Sequence, residues 1–171
     1  QAQDKGFETY MMTPDKDYGQ LLSQKIYMYK PKRSGGEAEL IDAEKICAQF
    51  GIDNPRQIID IMALWGDKSD NIPGAPGIGE KTAKKLIGRY GSVEKLYENI
   101  NNLKGKQKEN LINYKDQVMT SKELVKIKLD VPTQINTSDI EVQPPHEEKL
   151  VKLFQKLEFK NLAKRIFQKD V

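Results

Sequence analysis

Residues 65–83 read Trp65-Gly66-Asp67-Lys68-Ser69-Asp70-Asn71-Ile72-Pro73-Gly74-Ala75-Pro76-Gly77-Ile78-Gly79-Glu80-Lys81-Thr82-Ala83. Glycine and proline alternate from Pro73 to Gly79, which predicts a compact turn. Glu80 then opens a helix, its charge suited to the positive end of the helix dipole. Ala83, Leu86, Ile87 and Tyr90 form the apolar stripe of that helix; Lys81, Lys84 and Lys85 form a separate basic face. Glycines let a backbone approach a ligand closely and take unusual φ values. The unpaired amides of a helix start make a ready anion site. Ile78 is the apolar anchor between the two flanking helices. A Gly-x-Gly alone reads as an ordinary turn with solvated lysines; the lysine face on the helix that follows turns the reading toward a phosphate site.

Outward from this stretch, local signals are clear. Asn54-Pro55-Arg56-Gln57 predicts a helix start with a capping asparagine, a first-turn proline and a returning glutamine. Ile58, Met62 and Trp65 then share one face, widened by Ile61, which makes Trp65 a core residue. Asp42 caps a helix that runs to Phe50 and stops at Gly51. Cys47 lies on it and reads as core. Residues 7–13 and 25–29 read as strands, with a short apolar return at 38–41 after a basic loop at 30–36. Tyr27 and Tyr29, beside Lys30, Lys32 and Arg33, read first as hairpin surface. Ser92 caps a short helix, and 106–127 reads as one long helix or two shorter ones. Residues 130–145 are polar with Pro, Asn and Ser, a surface connection. Leu150, Leu153, Phe154 and Leu157 line one final helix, which His146 begins; Leu162, Ile166 and Phe167 line another.

The 171-residue chain has 37% hydrophobic residues and a mean hydropathy of −0.69, enough for one core under a heavily charged surface. No apolar run approaches the ~18 residues of a membrane helix. One cysteine excludes an intrachain disulfide and a cysteine-built zinc site, and fits a cytoplasmic protein. The formal charge of +3 is unevenly placed. Residues 77–128 hold 12 Lys and Arg against 6 Asp and Glu, a net of +6. That half is built to meet an anion.

Two carboxylate pairs carry a second kind of chemistry. Asp15 and Asp17 are two apart, on one side of an extended segment. Asp67 and Asp70 are three apart, on one side of a helical turn. Gathered carboxylates repel and want a hard cation such as Mg²⁺ or Mn²⁺, which prefer oxygen ligands. Two such ions support in-line displacement at phosphorus. Spacing alone does not bring the pairs together, and each alone reads as solvated turn acids.

Pro76 to Ala83 resembles the helix-hairpin-helix DNA-binding motif. Asp15-Lys16-Asp17-Tyr18-Gly19-Gln20-Leu21 and Gly66-Asp67-Lys68-Ser69-Asp70-Asn71-Ile72-Pro73-Gly74 resemble two segments of the 5′→3′ exonuclease domain of bacterial DNA polymerase I, in family order roughly 50 residues apart. Glu158-Phe159 is similar to the close of that domain. The resemblance implies an α/β, mostly helical fold: a remnant of a parallel nuclease sheet followed by a helix-hairpin-helix subdomain of SAM-like type. The implied divisions are 1–51, the C-terminal edge of the metal-binding nuclease domain; 52–129, the DNA-binding subdomain; and 130–171, a connection and helices that pack back. By the same resemblance Asp15, Asp17, Asp67 and Asp70 hold Mg²⁺ or Mn²⁺. Gly77, Ile78, Gly79, Lys81, Thr82, Lys84 and Lys85 grip duplex DNA, and the carbonyls of Pro73, Ala75 and Ile78 hold K⁺. The partner is double-stranded DNA with a 5′ end or 5′ flap, in the cytoplasm at the nucleoid.

The family's earlier aspartates and its basic arch have no counterpart here, and the chain opens on Gln. The expectation is therefore the later part of a nuclease domain. Its missing upstream segment and downstream polymerase domains would lie outside the chain, its nuclease activity alone would be small or nil, and its sheet edge would be open to self-association. Two other readings are a non-catalytic helix-hairpin-helix binding module and a helical protein-interaction domain. The carboxylate pairs speak against the first, since binding alone has no use for them; the +6 segment speaks against the second.

Overall fold

The computed structural model describes residues 1–32, 36–133 and 136–167. It forms two compact units, Gln1–Leu129 and Asp130–Val171. The tip of the expected basic loop, with Arg33, lies outside the described residues.

The first unit opens with three short strands, β1 (Thr9–Met12), β2 (Ile26–Lys30) and β3 (Glu39–Ile41). β1 and β2 are parallel, and β2 and β3 antiparallel. Register puts Met11, Met28 and Ile41 on one face, where Met28 and Ile41 are buried. The opposite face carries Tyr10, Met12, Tyr27, Tyr29 and Leu40. There Tyr10 stacks on Tyr27 at 5.0 Å, which accounts for Tyr27 as sheet surface. A 3₁₀ helix, Lys16–Leu21, forms the crossover from β1 to β2.

α1 (Ala43–Phe50) starts where Asp42 accepts the Lys45 amide at 2.7 Å and ends at left-handed Gly51. Cys47 is half-buried rather than core, and burial pushes its thiol pKa up. Asn54 and Gln57 make the expected reciprocal cap, but the first turn is 3₁₀, so α2 runs only Ile58–Trp65. A single stripe proves too narrow a reading of α2. Ile58, Ile61, Met62, Ala63 and Leu64 are all buried, while Trp65 is only partly so. The helix is apolar nearly all round because it is the central post of the unit.

α3 (Glu80–Tyr90), α4 (Val93–Glu98) and α6 (Lys115–Leu124) pack against α2. Ser92 caps α4 as expected. α5 (Gly105–Asn113) and α6 are two helices, broken at Tyr114. Leu111, Val118 and Val125 are buried at seven-residue spacing across the break. Full burial of one such side chain stabilises by roughly 1.5–3 kcal/mol.

Asp60 sits within the apolar run of α2, yet it is buried and satisfied. It accepts the Val93 amide at 2.9 Å and the Lys122 ammonium at 2.6 Å. Lys122 also meets both Glu94 oxygens at 2.8 Å, so one cation ties α2, α4 and α6 together.

The second unit holds a 3₁₀ turn (Thr137–Ile140) and two helices, α7 (Glu147–Lys156) and α8 (Lys160–Phe167). His146 stands at the helix start without a capping bond. Of the expected leucine stripe, Leu153 and Leu157 stay exposed; Phe154 and Ala163 are the buried pair, with Phe159 and Phe167 around Phe154. Among the described residues no helix is long and apolar enough to cross a membrane.

Candidate metal centre and phosphate loop

After α2 the chain makes a tight two-stranded hairpin, β4 (Gly66–Asp67) against β5 (Ile72–Pro73). Its strands are pressed so closely that only glycine fits at two places. A Cβ on Gly66 would lie 2.4 Å from the Gly74 nitrogen, and one on Gly74 2.3 Å from the Trp65 carbonyl carbon. Gly66 also has φ +81, closed to most side chains. Asp67 and Asp70 therefore come together through a hairpin turn, helped by left-handed Asn71, and not through the helical turn their spacing suggested.

Asp17 joins them from the 3₁₀ helix. Oxygens of Asp17, Asp67 and Asp70 all lie within 4.8 Å of one another. Asp15 is not in this trio: it is exposed and caps the 3₁₀ helix, accepting the Asp17 amide at 3.1 Å. The cause is local. The chain winds at about three residues per turn directly after Asp15, so positions two apart no longer face one way.

The trio has its own cation. The Lys16 ammonium donates to Asp67 Oδ2 and lies 3.5 Å from Asp17 Oδ1. Ser69 gives Asp67 Oδ1 two further hydrogen bonds, from its amide at 3.0 Å and its hydroxyl at 2.6 Å. Burial works against the Asp67 carboxylate, but these donors outweigh it and hold its pKa below the usual range. Asp17 differs. Burial pushes its pKa up, Lys16 only partly offsets this, and the Asp15 and Asp67 charges add to the rise. Its Oδ1 is buried within ion-pair range of Lys16 but has no hydrogen bond. A buried, under-satisfied carboxylate oxygen among three acids fits a hard divalent cation.

The other end of β5 runs into the glycine loop. Gly77 has φ +76, and a Cβ there would press on the Asn110 amide nitrogen at 3.3 Å. Ile78 is buried, and its amide donates to the Ala75 carbonyl at 3.0 Å. Gly79 precedes α3 without a side-chain cap on the first turn. Thr82 is half-buried. Lys81 and Lys85, one turn apart, are exposed.

Lys84 departs from the expected basic face. It pairs with Glu80 at 2.7 Å, donates to the Gln49 carbonyl at 3.3 Å and lies 4.1 Å from the centre of the Phe50 ring. The C-terminal end of α1 draws it away, because exposed carbonyls there attract a cation. The carbonyls of Pro73 and Ala75 already accept one hydrogen bond each, from the Ser121 hydroxyl and the Ile78 amide.

Two residues with no assigned role hold the acidic side in place. Gln20 is buried, donates to the Val125 carbonyl and accepts the Ile127 amide, both at 3.0 Å, pinning the 3₁₀ helix to the end of α6. Lys16, inside the Asp15–Leu21 segment, is the internal cation. A basic residue between two acids was the available signal.

Two acids on a hairpin that continues into a glycine loop at a helix start, joined by a third from the 3₁₀ helix, form a carboxylate group with the spacing to hold a metal ion. Residues 53–148, more than half of the chain, match the family model "5′-3′ exonuclease, C-terminal SAM fold". The chain belongs to that family. It is 40% identical over 166 residues to DNA polymerase I of Bacillus subtilis, covering 96% of this chain and 19% of that protein. It is 35% identical over 168 residues to DNA polymerase I of Mycobacterium leprae, covering 98% and 18%. The chain thus spans about a fifth of the length of these relatives. Among solved structures, phage T5 5′-exonuclease with bound zinc ions aligns with a TM-score of 0.61 at 24% identity, covering 71% of this chain and 44% of that one. The catalytic core of Rad2 in complex with DNA substrate aligns at 0.53 and 18%, covering 85% and 50%. At these identities the likeness is one of fold.

Proposed function

We propose that this chain is the DNA-gripping and partial metal-binding portion of a 5′→3′ exonuclease and 5′-flap endonuclease domain of the DNA polymerase I type. The observation that carries the reading is the meeting of Asp17 with Asp67 and Asp70 from a hairpin some 50 residues away, directly upstream of the glycine loop. Asp17, Asp67 and Asp70, with Asp15 beside them, would hold Mg²⁺ or Mn²⁺. Such an ion, when bound, activates water and steadies the leaving oxygen in phosphodiester hydrolysis. Asp67 is oriented by Ser69, while Lys16 balances the acids until a cation arrives.

Duplex phosphate would meet the amides of Gly77 and Gly79 with Lys81, Lys85 and Thr82, fixing position without reading bases. A K⁺ ion on the second lone pairs of the Pro73 and Ala75 carbonyls, with Ile78, extends the same reading. Further acidic ligands would come from an upstream nuclease segment. Tyr10, Met12, Tyr29 and Leu40, exposed beside the unpaired edge of β1, make the chain alone prone to self-association.

The test is a pair of assays on this chain: duplex binding across a salt series, and cleavage of a 5′-flap substrate with Mn²⁺. Binding that weakens steeply with salt, with little or no cleavage, is the expected result. Robust cleavage would show that three acids suffice and that no upstream ligands are needed.

A further inference from the structure

We propose that Asn110, Gln117 and Ser121 form a side-chain clamp that sets the glycine loop in its phosphate-binding shape, a role that rests on the DNA reading above. The loop from Pro73 to Pro76 is rich in acceptors and poor in donors, because both prolines lack an N–H. Each of its four carbonyls is nonetheless taken. Pro73 accepts the Ser121 hydroxyl, Gly74 the Gln117 amide at 2.7 Å, Ala75 the Ile78 amide at 3.0 Å, and Pro76 the Asn110 amide at 2.8 Å. Three of the four donors are side chains from α5 and α6.

The consequence follows from the planar trans peptide, in which a carbonyl and the next residue's N–H point in opposite directions. Drawing the Gly74 carbonyl to Gln117 turns the Ala75 amide the other way, where it donates to the Leu64 carbonyl at 2.8 Å. Drawing the Pro76 carbonyl to Asn110 turns the Gly77 amide away from α5. That amide and the Gly79 amide flank the Ile78 amide that Ala75 takes, and they lead into the uncapped start of α3. Ser121 and Gln117 thus seat the base of the loop, and Asn110 aims its tip.

Two further observations fit this arrangement. Ser121 is fully buried, so its hydroxyl needs a partner, and the Pro73 carbonyl is that partner. Gly77 carries no Cβ where one would press on the Asn110 nitrogen at 3.3 Å, so the residue that frees the loop tip also admits the clamp. Gln117 and Ser121 stand one turn apart on α6, and Asn110 stands on α5, next in sequence to the buried Leu111.

The experiment uses near-isosteric, uncharged replacements that cannot donate, Asn110→Leu and Gln117→Met, with Asn110→Gln as the conservative restorer. Duplex affinity by fluorescence anisotropy across a salt series is read together with the amide signals and hydrogen exchange of Gly77 and Gly79 by NMR. Asn110→Leu should weaken duplex binding about tenfold, roughly 1.4 kcal/mol, and lower the salt slope by about 0.9, one phosphate contact. The Gly77 signal should move, Gln117→Met should act the same way more weakly, and Asn110→Gln should recover most of the loss. Unchanged Gly77 and Gly79 signals in both donor-free variants overturn the clamp, whatever the affinity does. Weaker binding with an unchanged slope overturns it too, since that is a general loss of fold. A wild-type chain that does not bind duplex refutes the DNA reading instead, and the loop signals still judge the clamp.

Discussion

Replacing Lys16 by methionine keeps the side-chain stem and removes only the ammonium that stands among Asp17, Asp67 and Asp70. Without metal the change should destabilise, because Asp67 is 5% exposed and loses its charged partner. Breaking a fully buried pair costs about 3–5 kcal/mol. Lys16 is itself 37% exposed, and Ser69 still donates twice to Asp67, so solvent and the remaining donors discount this to about 1–2 kcal/mol. In a chain of this size that lowers the melting temperature by about 2–8 °C. With Mn²⁺ the order of effects reverses. In the wild type an arriving cation must displace an ammonium from the acids, whereas in the variant the acids stand open. Mn²⁺ should therefore bind about 5–30-fold more tightly to Lys16→Met, the same free energy read from the other side. Thermal melts across a Mn²⁺ series measure both effects at once, since a ligand that binds only the folded chain raises its stability with concentration. Equal Mn²⁺-induced shifts in the two proteins would refute the reasoning. They would mean either that Lys16 does not occupy the cation's place or that the trio does not bind the cation.

Three further outcomes can be checked directly. Lys81→Glu with Lys85→Glu should abolish most duplex affinity at constant stability, while Lys84→Ala should lower the melting temperature and leave the salt slope of binding unchanged; the reverse pattern would restore Lys84 to the DNA face. Gly88→Ala should destabilise by about 1–3 kcal/mol despite alanine's helix preference, because the new Cβ would lie 2.6 Å from the Gly51 carbonyl oxygen; a neutral melt would mean that α1 yields freely. Burial opposes ionisation of Glu94, but the hydrogen bonds from Lys122 outweigh it and hold its carboxyl below the usual range. A depressed carboxyl stabilises the fold above its unfolded value of about 4.3, and that contribution is lost as pH falls through the lower folded value. Glu94→Gln should then cost stability near neutrality, under about 1 kcal/mol for so exposed a side chain, and nothing in strong acid. A melting difference that does not change with pH would contradict this.

Where the sequence was legible, the forces were local. Asp42, Asn54 with Gln57, and Ser92 cap helices where their spacing predicts, because each bond spans only a few residues. The proximity of Asp67 and Asp70 was legible as well, though a hairpin turn produces it as readily as a helix. What stayed hidden depends on distant partners. Lys84 is diverted by Gln49 and Phe50, some 35 residues away. Asp60 looks like an intruder in an apolar run until Lys122 and the Val93 amide arrive to meet it. Asn110, Gln117 and Ser121 are visible as polar positions among apolar ones, but nothing local says that the carbonyls of Pro73, Gly74 and Pro76 need donors.

The two candidate sites are opposite in charge yet share one short piece of backbone. Asp67 and Ile72 are partners in the β4–β5 ladder, and Pro73, the next residue of β5, already belongs to the clamped loop. Asp67 and Asp70 therefore hang from one end of a two-rung ladder, and the glycine loop leaves from the other. Gly66 and Gly74 press its strands together closely enough that neither can take a side chain. A metal-dependent nuclease needs the reacting phosphodiester held at a fixed reach from its cations, and misplacement by even 1 Å is costly. A rigid crossing of two glycines meets that requirement with fewer moving parts than two sites on separate elements. It also explains why the acidic turn and the glycine loop follow one another without a spacer: any residue inserted between them would lengthen the one distance the arrangement fixes.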